Sequence, residues 1–331
     1  MEPDASGGSS QKPRVFMTGP LQESAMRILR DRYDIDLYEG PLPAPRRAVT
    51  LGMSRAEGVV CYPFDSIDSA AIDAAPNLRA ISTYSVGFDH IDIAHARRRG
   101  IMVGYTPDVL TEATADIALA LMLDLLRRVS EGDRIIRSGG WRRVYGATDY
   151  LGIDLHGKTL GIVGMGRIGG AVAKRAAAFG MRITYHSRTR LPAGREDELG
   201  AEYAALEDLV SGSDVISVHV PYNGHTHHMF DSAMFGRMKR SAFLINTSRG
   251  KVVSEPDLVD ALRGGTIAGA GLDVFESEPL MTSNPLLRMQ NVVLVPHIGS
   301  STVETRSVMA DLTIRNLDLG MRGERPAHSV W

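Results

Sequence analysis

The chain has 331 residues, enough for two domains that each bury a full core. Apolar residues make up 44% and charged residues 23%, and a formal net charge of −2 gives no field that would draw it to nucleic acid or an anionic membrane. The one cysteine, Cys61, excludes an internal disulfide and suits a reducing compartment; placed after Gly58-Val59-Val60, it reads as a buried strand thiol and not as a nucleophile.

Residues 1–13 are acidic and rich in Gly and Ser, with no apolar signal core, and read as a disordered leader. From Arg14 onward, short β-rich runs alternate with helical patterns, as parallel α/β folds do. Val15–Met17, Ile35–Tyr38, Gly58–Cys61, Ala80–Thr83 and Ile101–Val103 are strand candidates, with helices over Gln22–Arg30 and Ile91–Arg99 among the connections. They make a first doubly wound sheet over residues 14–108. A long helix follows from Glu112 to Ser138, with Ala115, Leu119, Met122 and Leu126 on one apolar stripe. Its most apolar part, Ile117–Leu126, is too short to cross a bilayer and holds Asp124, so a cytoplasmic protein is expected. Strand candidates then resume at Thr159–Val163, Arg182–Tyr185, Val215–Val218, Ala242–Ile245, Ala268–Val274 and Val292–Val295. Six strands complete a second doubly wound parallel-sheet domain, expected over 109–296. The last helix, Thr302–Leu319, has no place in that second sheet and is expected to return to the first domain.

Gly164-Met165-Gly166-Arg167-Ile168-Gly169 is a G-x-G-x-x-G between a strand and the helical run Ala171–Phe179, the context in which the pattern binds a dinucleotide. The first glycine permits a tight turn, the second lets backbone approach a pyrophosphate, and the third lets helix pack on strand. At the end of the next strand, NAD-preferring sites place an acid for the ribose hydroxyls. Here that position is Ser187, followed by Arg188, Thr189 and Arg190. A hydroxyl with adjacent guanidinium groups suits a 2′-phosphate, so NADP is the expected cofactor, with NADPH preferred over NADH.

Three segments at successive strand ends carry further chemistry. They are Asn246-Thr247-Ser248-Arg249-Gly250, Gly271-Leu272-Asp273-Val274-Phe275-Glu276-Ser277-Glu278-Pro279 and Pro296-His297-Ile298-Gly299-Ser300. Ligands bind beyond the carboxyl ends of parallel strands, so Arg249, Glu278 and His297 are expected to converge. The set fits reduction of a 2-keto acid: Arg249 holds the carboxylate and polarises the keto oxygen, and protonated His297 donates to that oxygen. Glu278 orients the imidazole and favours its charged form, and Asp273 faces the nicotinamide or its ribose. Three histidines, His225, His227 and His228, have ligand chemistry but sit in a polar loop; hydride transfer needs no metal, and exposed histidines are expected there.

These motifs, with Tyr84-Ser85-Val86-Gly87-Phe88-Asp89, resemble those of the D-isomer-specific 2-hydroxyacid dehydrogenases over nearly the whole chain, from Arg14 to Leu319. Tyr185-His186-Ser187-Arg188-Thr189 and Gly299–Arg306 are most similar to the NADPH-linked glyoxylate/hydroxypyruvate reductases and the related hydroxyphenylpyruvate reductases. The resemblance implies a Rossmann cofactor domain inserted in a flavodoxin-like substrate domain formed by 14–108 and 297–331. It implies that the backbone of Val86 and Gly87 holds the substrate carboxylate beside Arg249. It places Thr114, Arg167, Ile168, Val220, Pro221, Thr226, Thr247, Ser248, Arg249, Asp273, His297, Gly299 and Ser300 at the cofactor. A homodimer is implied too, with Trp141 reaching the partner's substrate pocket, and first-domain loops near Met53, Tyr62-Pro63-Phe64 and Tyr84 forming the pocket wall. The small substrates glyoxylate and hydroxypyruvate lead, with an aryl pyruvate as the alternative. In a different class stand corepressors of the same fold that sense NAD(H); Ser187-Arg188 argues against that reading.

Overall fold

A computed structural model describes residues 12–331. The leader expected over 1–13 falls, for residues 1–11, outside the described residues. Residues 12 and 13 already belong to the fold, since the Pro13 carbonyl accepts the Asp34 N–H at 3.0 Å and the Lys12 ammonium donates to the Arg30 carbonyl at 2.9 Å.

The chain forms two compact units, Met1–Val109 with Thr302–Trp331, and Leu110–Ser301. The first contains β1 (Arg14–Met17), α1 (Glu23–Arg32), β2 (Asp34–Leu37), α2 (Arg46–Met53), β3 (Gly58–Cys61), α3 (Ser69–Asp73), β4 (Ala80–Thr83), α4 (Ile93–Arg98) and β5 (Met102–Gly104). Its strands pair in parallel in the order β2-β1-β3-β4-β5, the flavodoxin-like order, whose switch point lies between β1 and β3. Strand residues that alternate in sequence point to opposite faces. Phe16, Val59, Cys61 and Ile81 therefore pack on α2, α3 and α4 through Val49, Met53, Ile72 and Ala96.

The second unit contains α5 (Thr111–Arg127), α6 (Val129–Arg137), β6 (Thr159–Val163), α7 (Arg167–Ala178), β7 (Arg182–His186), α8 (Ala193–Leu199), β8 (Ala201–Tyr203) and α9 (Leu206–Gly212). It continues through β9 (Val215–Val218), α10 (Ser232–Arg237), β10 (Phe243–Asn246), α11 (Glu255–Arg263), β11 (Gly269–Leu272) and β12 (Val292–Leu294). All seven strands are parallel, in the order β12-β11-β10-β9-β6-β7-β8. Counted from β6, this is the doubly wound dinucleotide-binding order with one strand added, and its switch point lies between β6 and β9. The pleat again sorts the core: Phe243 and Ile245 face the layer of α5 and α7, and Leu244 faces the layer of α10 and α11.

The structure corrects three expectations. The sheet has seven strands where six were expected, because three-residue β8, with two of its residues exposed, carries too little apolar pattern to read. The long helix breaks at Arg128, which turns left-handed at φ 54° and is tied through its guanidinium to Glu131. The second unit ends at Ser301 and not at residue 296, because hydrogen bonds hold the turn after His297 to β11 and α5. The last helix, α12 (Val303–Met321), capped by the Thr302 hydroxyl, belongs to the first unit as expected. Cys61 is fully buried, and burial pushes its thiol up, away from nucleophilic use.

Candidate active site

The glycine motif folds as its spacing implies. Gly164 leaves β6 at φ 101°, and a side chain there would strike the His219 backbone at 2.8 Å. A side chain at Gly169 would sit 2.2 Å from the Gly164 carbonyl oxygen, so α7 rests directly on the turn. At Gly166 a Cβ meets nothing within 4 Å, and no side chain caps α7. Open space over an uncapped helix N-terminus is a cradle that fits a pyrophosphate.

At the end of β7 the Ser187 hydroxyl donates to the Thr189 carbonyl at 2.6 Å, which bends the turn and leaves Arg188 exposed. Arg190 is drawn away: it pairs with both oxygens of Glu196 at 2.9 Å, and Glu196 also accepts the Tyr185 hydroxyl at 2.6 Å. Of the two guanidinium groups expected at this turn, Arg188 is the one not engaged by Glu196.

Arg249, Glu278 and His297 each follow a parallel strand of the second unit: β10, β11 and β12. The Arg249 loop is pinned by Asn246, whose amide donates to the Arg249 carbonyl at 3.0 Å and whose carbonyl accepts the Ser248 N–H at 3.0 Å. Gly250 then passes so near the next loop that a Cβ would lie 1.8 Å from the Phe275 carbonyl carbon, a contact only glycine allows. Phe275 in turn donates its N–H to Glu278 Oε1 at 3.0 Å, and Glu278 Oε2 meets His297 Nδ1 at 2.7 Å. His297 and Glu278 side chains are 31% and 22% exposed, open enough to meet a ligand and sheltered enough for their pairing to matter. His297 itself is left-handed at φ 53°, a conformation costly for a residue with a Cβ.

What keeps that backbone in place is Asp273. Expected to face the nicotinamide or its ribose, it is turned inward and 1% exposed. Its oxygens accept the N–H groups of Ile298 at 2.6 Å and Gly299 at 2.8 Å, the two residues after His297. Burial raises its pKa above the usual carboxylate range, opposed by those N–H groups and by His297. The Thr114 hydroxyl donates to the Gly299 carbonyl at 3.1 Å, closing the turn from α5. Ser300 follows in the same turn.

Other expected residues divide. Val220 and Pro221 lie after β9 beside the glycine turn, and the buried Thr226 uses its hydroxyl inside its own turn, donating to the Pro221 carbonyl at 2.8 Å. Thr247 lies 3.5 Å from His219 Nδ1. His219 is a residue that sequence reasoning missed: Ser217 holds its Nε2 at 2.8 Å, and burial pulls its imidazole down to about 4. Its position directly after β9 was the available signal. His228 pairs with Glu276 at 3.0 Å and stacks on His227, and among the described residues no group of three His, Cys, Asp or Glu could hold a metal. Met53 is fully buried in the first unit's core and cannot line a pocket, whereas Phe64 is exposed and stacks on Tyr62, itself edge-on to Tyr84. Trp141 is 53% exposed, so it does not pack into a core. Among the described residues no helix is long and apolar enough to cross a membrane.

Residues 119–299 match the family described as D-isomer specific 2-hydroxyacid dehydrogenase, NAD binding domain. A glyoxylate reductase from Korarchaeum cryptofilum is 47% identical over 322 residues, 96% of either chain. The chain belongs to this family. Among solved structures, a protein from Thermus thermophilus superposes with a TM-score of 0.88 at 43% identity, over 96% of this chain and 100% of its own. An NADPH-dependent glyoxylate/hydroxypyruvate reductase from Sinorhizobium meliloti, in complex with NADP and malonate, gives a TM-score of 0.86 at 34% identity, over 97% of each chain.

Proposed function

We propose that this dehydrogenase works as an NADPH-dependent reductase of small 2-keto acids, glyoxylate and hydroxypyruvate first among them, yielding the D-2-hydroxy acid from the latter. The observation that carries the reading is the 2.7 Å contact between His297 Nδ1 and Glu278, in the same unit as the glycine cradle. With Nδ1 held by a carboxylate, Nε2 is the nitrogen that gives a proton to the keto oxygen. The Glu278 carboxylate, 2.7 Å from Nδ1, keeps the ring aimed. Arg249 binds the substrate carboxylate and draws electron density toward the keto oxygen. NADPH, when bound, supplies the hydride.

The cradle of Gly164, Gly166 and Gly169 takes the pyrophosphate, with Arg167 and Ile168 at the helix start beside it. Ser187, Arg188 and Thr189 take the 2′-phosphate: a hydroxyl and a guanidinium replace the acid that would repel it. Val220, Pro221, Thr247, Ser248 and Ser300 line the rest of the cofactor's path, while Thr114, Thr226, Asp273 and Gly299 shape it. In the first unit, the Val86 and Gly87 backbone binds the substrate carboxylate. Two copies associate along the segment from α6 to Leu151, supported by its exposed Val129, Ile136, Val144 and Leu151, with Trp141 offered to the partner's pocket.

A panel of glyoxylate, hydroxypyruvate and phenylpyruvate, each assayed with NADPH and with NADH, tests the reading. NADPH should be preferred at least about tenfold, the weight of one charge-assisted contact. Ser187→Asp combined with Arg188→Ala should reverse that order. Equal use of both cofactors removes the NADP assignment, and faster turnover of phenylpyruvate moves the substrate to the aryl class.

A further inference from the structure

Behind Val86 and Gly87 lies a chain of polar side chains that the reaction chemistry does not use. The Ser85 hydroxyl donates to the Gly87 carbonyl at 2.5 Å. Its oxygen is 2.8 Å from the Thr83 hydroxyl, and the Thr83 oxygen is 3.0 Å from His90 Nε2. Thr83 is fully buried and Ser85 nearly so. Gly87 offers only an acceptor, so the Ser85 proton is spent on it; Thr83 then donates to Ser85 at 2.8 Å in preference to the Cys61 carbonyl at 3.5 Å, and His90 Nε2–H donates to Thr83. Bonds aligned in one direction polarise and strengthen one another.

We infer that Ser85, backed by Thr83 and His90, is a positioning device that presents the Val86 and Gly87 N–H groups to a carboxylate. The inference rests on the role proposed above for these two amides. The ring closed from the Ser85 side chain to the Gly87 carbonyl contains both peptide units that carry those N–H groups, so its closure fixes their orientation. The base of the ring is tied to the sheet: Tyr84 N–H donates to the Cys61 carbonyl at 2.8 Å, and Thr106 N–H to the Ser85 carbonyl at 2.8 Å. Among the described residues neither the Val86 nor the Gly87 N–H has a protein partner, although both residues are only half-exposed. Two adjacent donors held rigid and left unpaired form an anion-binding concavity. Buried hydroxyls at Thr83 and Ser85 are costly to keep unless they are bonded, and here they bond to one another and to the loop.

Ser85→Ala should raise the KM for glyoxylate about tenfold, as loss of one buried hydrogen bond does, with kcat changed less than about threefold. NADPH affinity, read by fluorescence titration, should not move. Thr83→Val keeps the shape of the side chain and removes the relay, so KM should rise. Thr83→Ser keeps the hydroxyl and should restore it. Hydrogen exchange of the peptide covering residues 84–92, which needs no turnover, should be faster in Ser85→Ala and Thr83→Val than in wild type. Unchanged exchange in both variants overturns the brace, and so does an equal rise of KM in Thr83→Val and Thr83→Ser. A wild type that reduces no 2-keto acid refutes the proposed reaction instead, and the exchange result then decides the brace alone.

Discussion

Asp273→Asn separates holding the catalytic loop from touching the cofactor. The carboxylate accepts N–H groups from Ile298 at 2.6 Å and Gly299 at 2.8 Å, while residue 297 between them and β12 keeps a left-handed backbone. An asparagine of the same shape retains one acceptor and turns an NH2 toward the other N–H. One hydrogen bond to a charged group, about 1.5–3 kcal/mol, is lost, and a buried donor remains unpaired. The left-handed histidine stores about 1–3 kcal/mol of its own, so the loss is large enough to let the loop relax. Relaxation takes the imidazole off the Glu278 oxygen 2.7 Å away. The expected result is a fall in kcat for glyoxylate reduction of about 10- to 100-fold, because misplacing a catalytic group by an ångström costs about that much. Steady-state kinetics read the fall, and fluorescence titration should show NADPH affinity nearly kept. If Asp273→Asn keeps kcat within threefold of wild type, the loop does not depend on this carboxylate. If NADPH affinity collapses instead, the carboxylate touches the cofactor and the inward assignment is refuted.

Gly250→Ala should lower the melting temperature and kcat together, because its Cβ would lie 1.8 Å from backbone on the loop that leads to Glu278; the overpacking costs about 1–3 kcal/mol or more, and calorimetry with unchanged stability would contradict the close approach. His219 titrates near 4 in the folded chain against 6.5 unfolded, so between those values the unfolded chain binds the extra proton and stability falls as pH drops. The effect is on the order of 3 kcal/mol and complete by about pH 4. His219→Gln should flatten this part of the acid limb in urea unfolding, and an unchanged slope would mean that the imidazole is not sheltered.

Much of the fold was legible because parallel strands buried on both faces read as apolar runs, as in Gly58–Cys61 and Val215–Val218, which fall where expected. The glycine cradle was legible for a local reason: all three glycines act within one turn. Arg249, Glu278 and His297 could be read jointly because each follows a strand end, where topology brings loops together. What escaped was set by tertiary partners. The pairing of Arg190 with Glu196, on the next helix, has no local signal in the sequence. The hold of Asp273 on the turn after His297 was hidden because nothing local shows that two N–H groups 25 and 26 residues away reach its oxygens. Arg128 breaks a helix whose apolar stripe runs to Leu126 without any glycine or proline to mark the end. Strand β8 is an edge of three residues and is read only from its pairing with β7.

The most direct test of the account compares wild type with His297→Ala, following NADPH oxidation by glyoxylate alongside NADPH binding. On the role proposed for it, in which the imidazole gives its proton to the substrate, the variant should lose turnover at least about 100-fold, the usual weight of a positioned general acid, and bind NADPH as wild type does. A variant that still reduces glyoxylate within tenfold of the wild-type rate would contradict the assignment of His297 as proton donor.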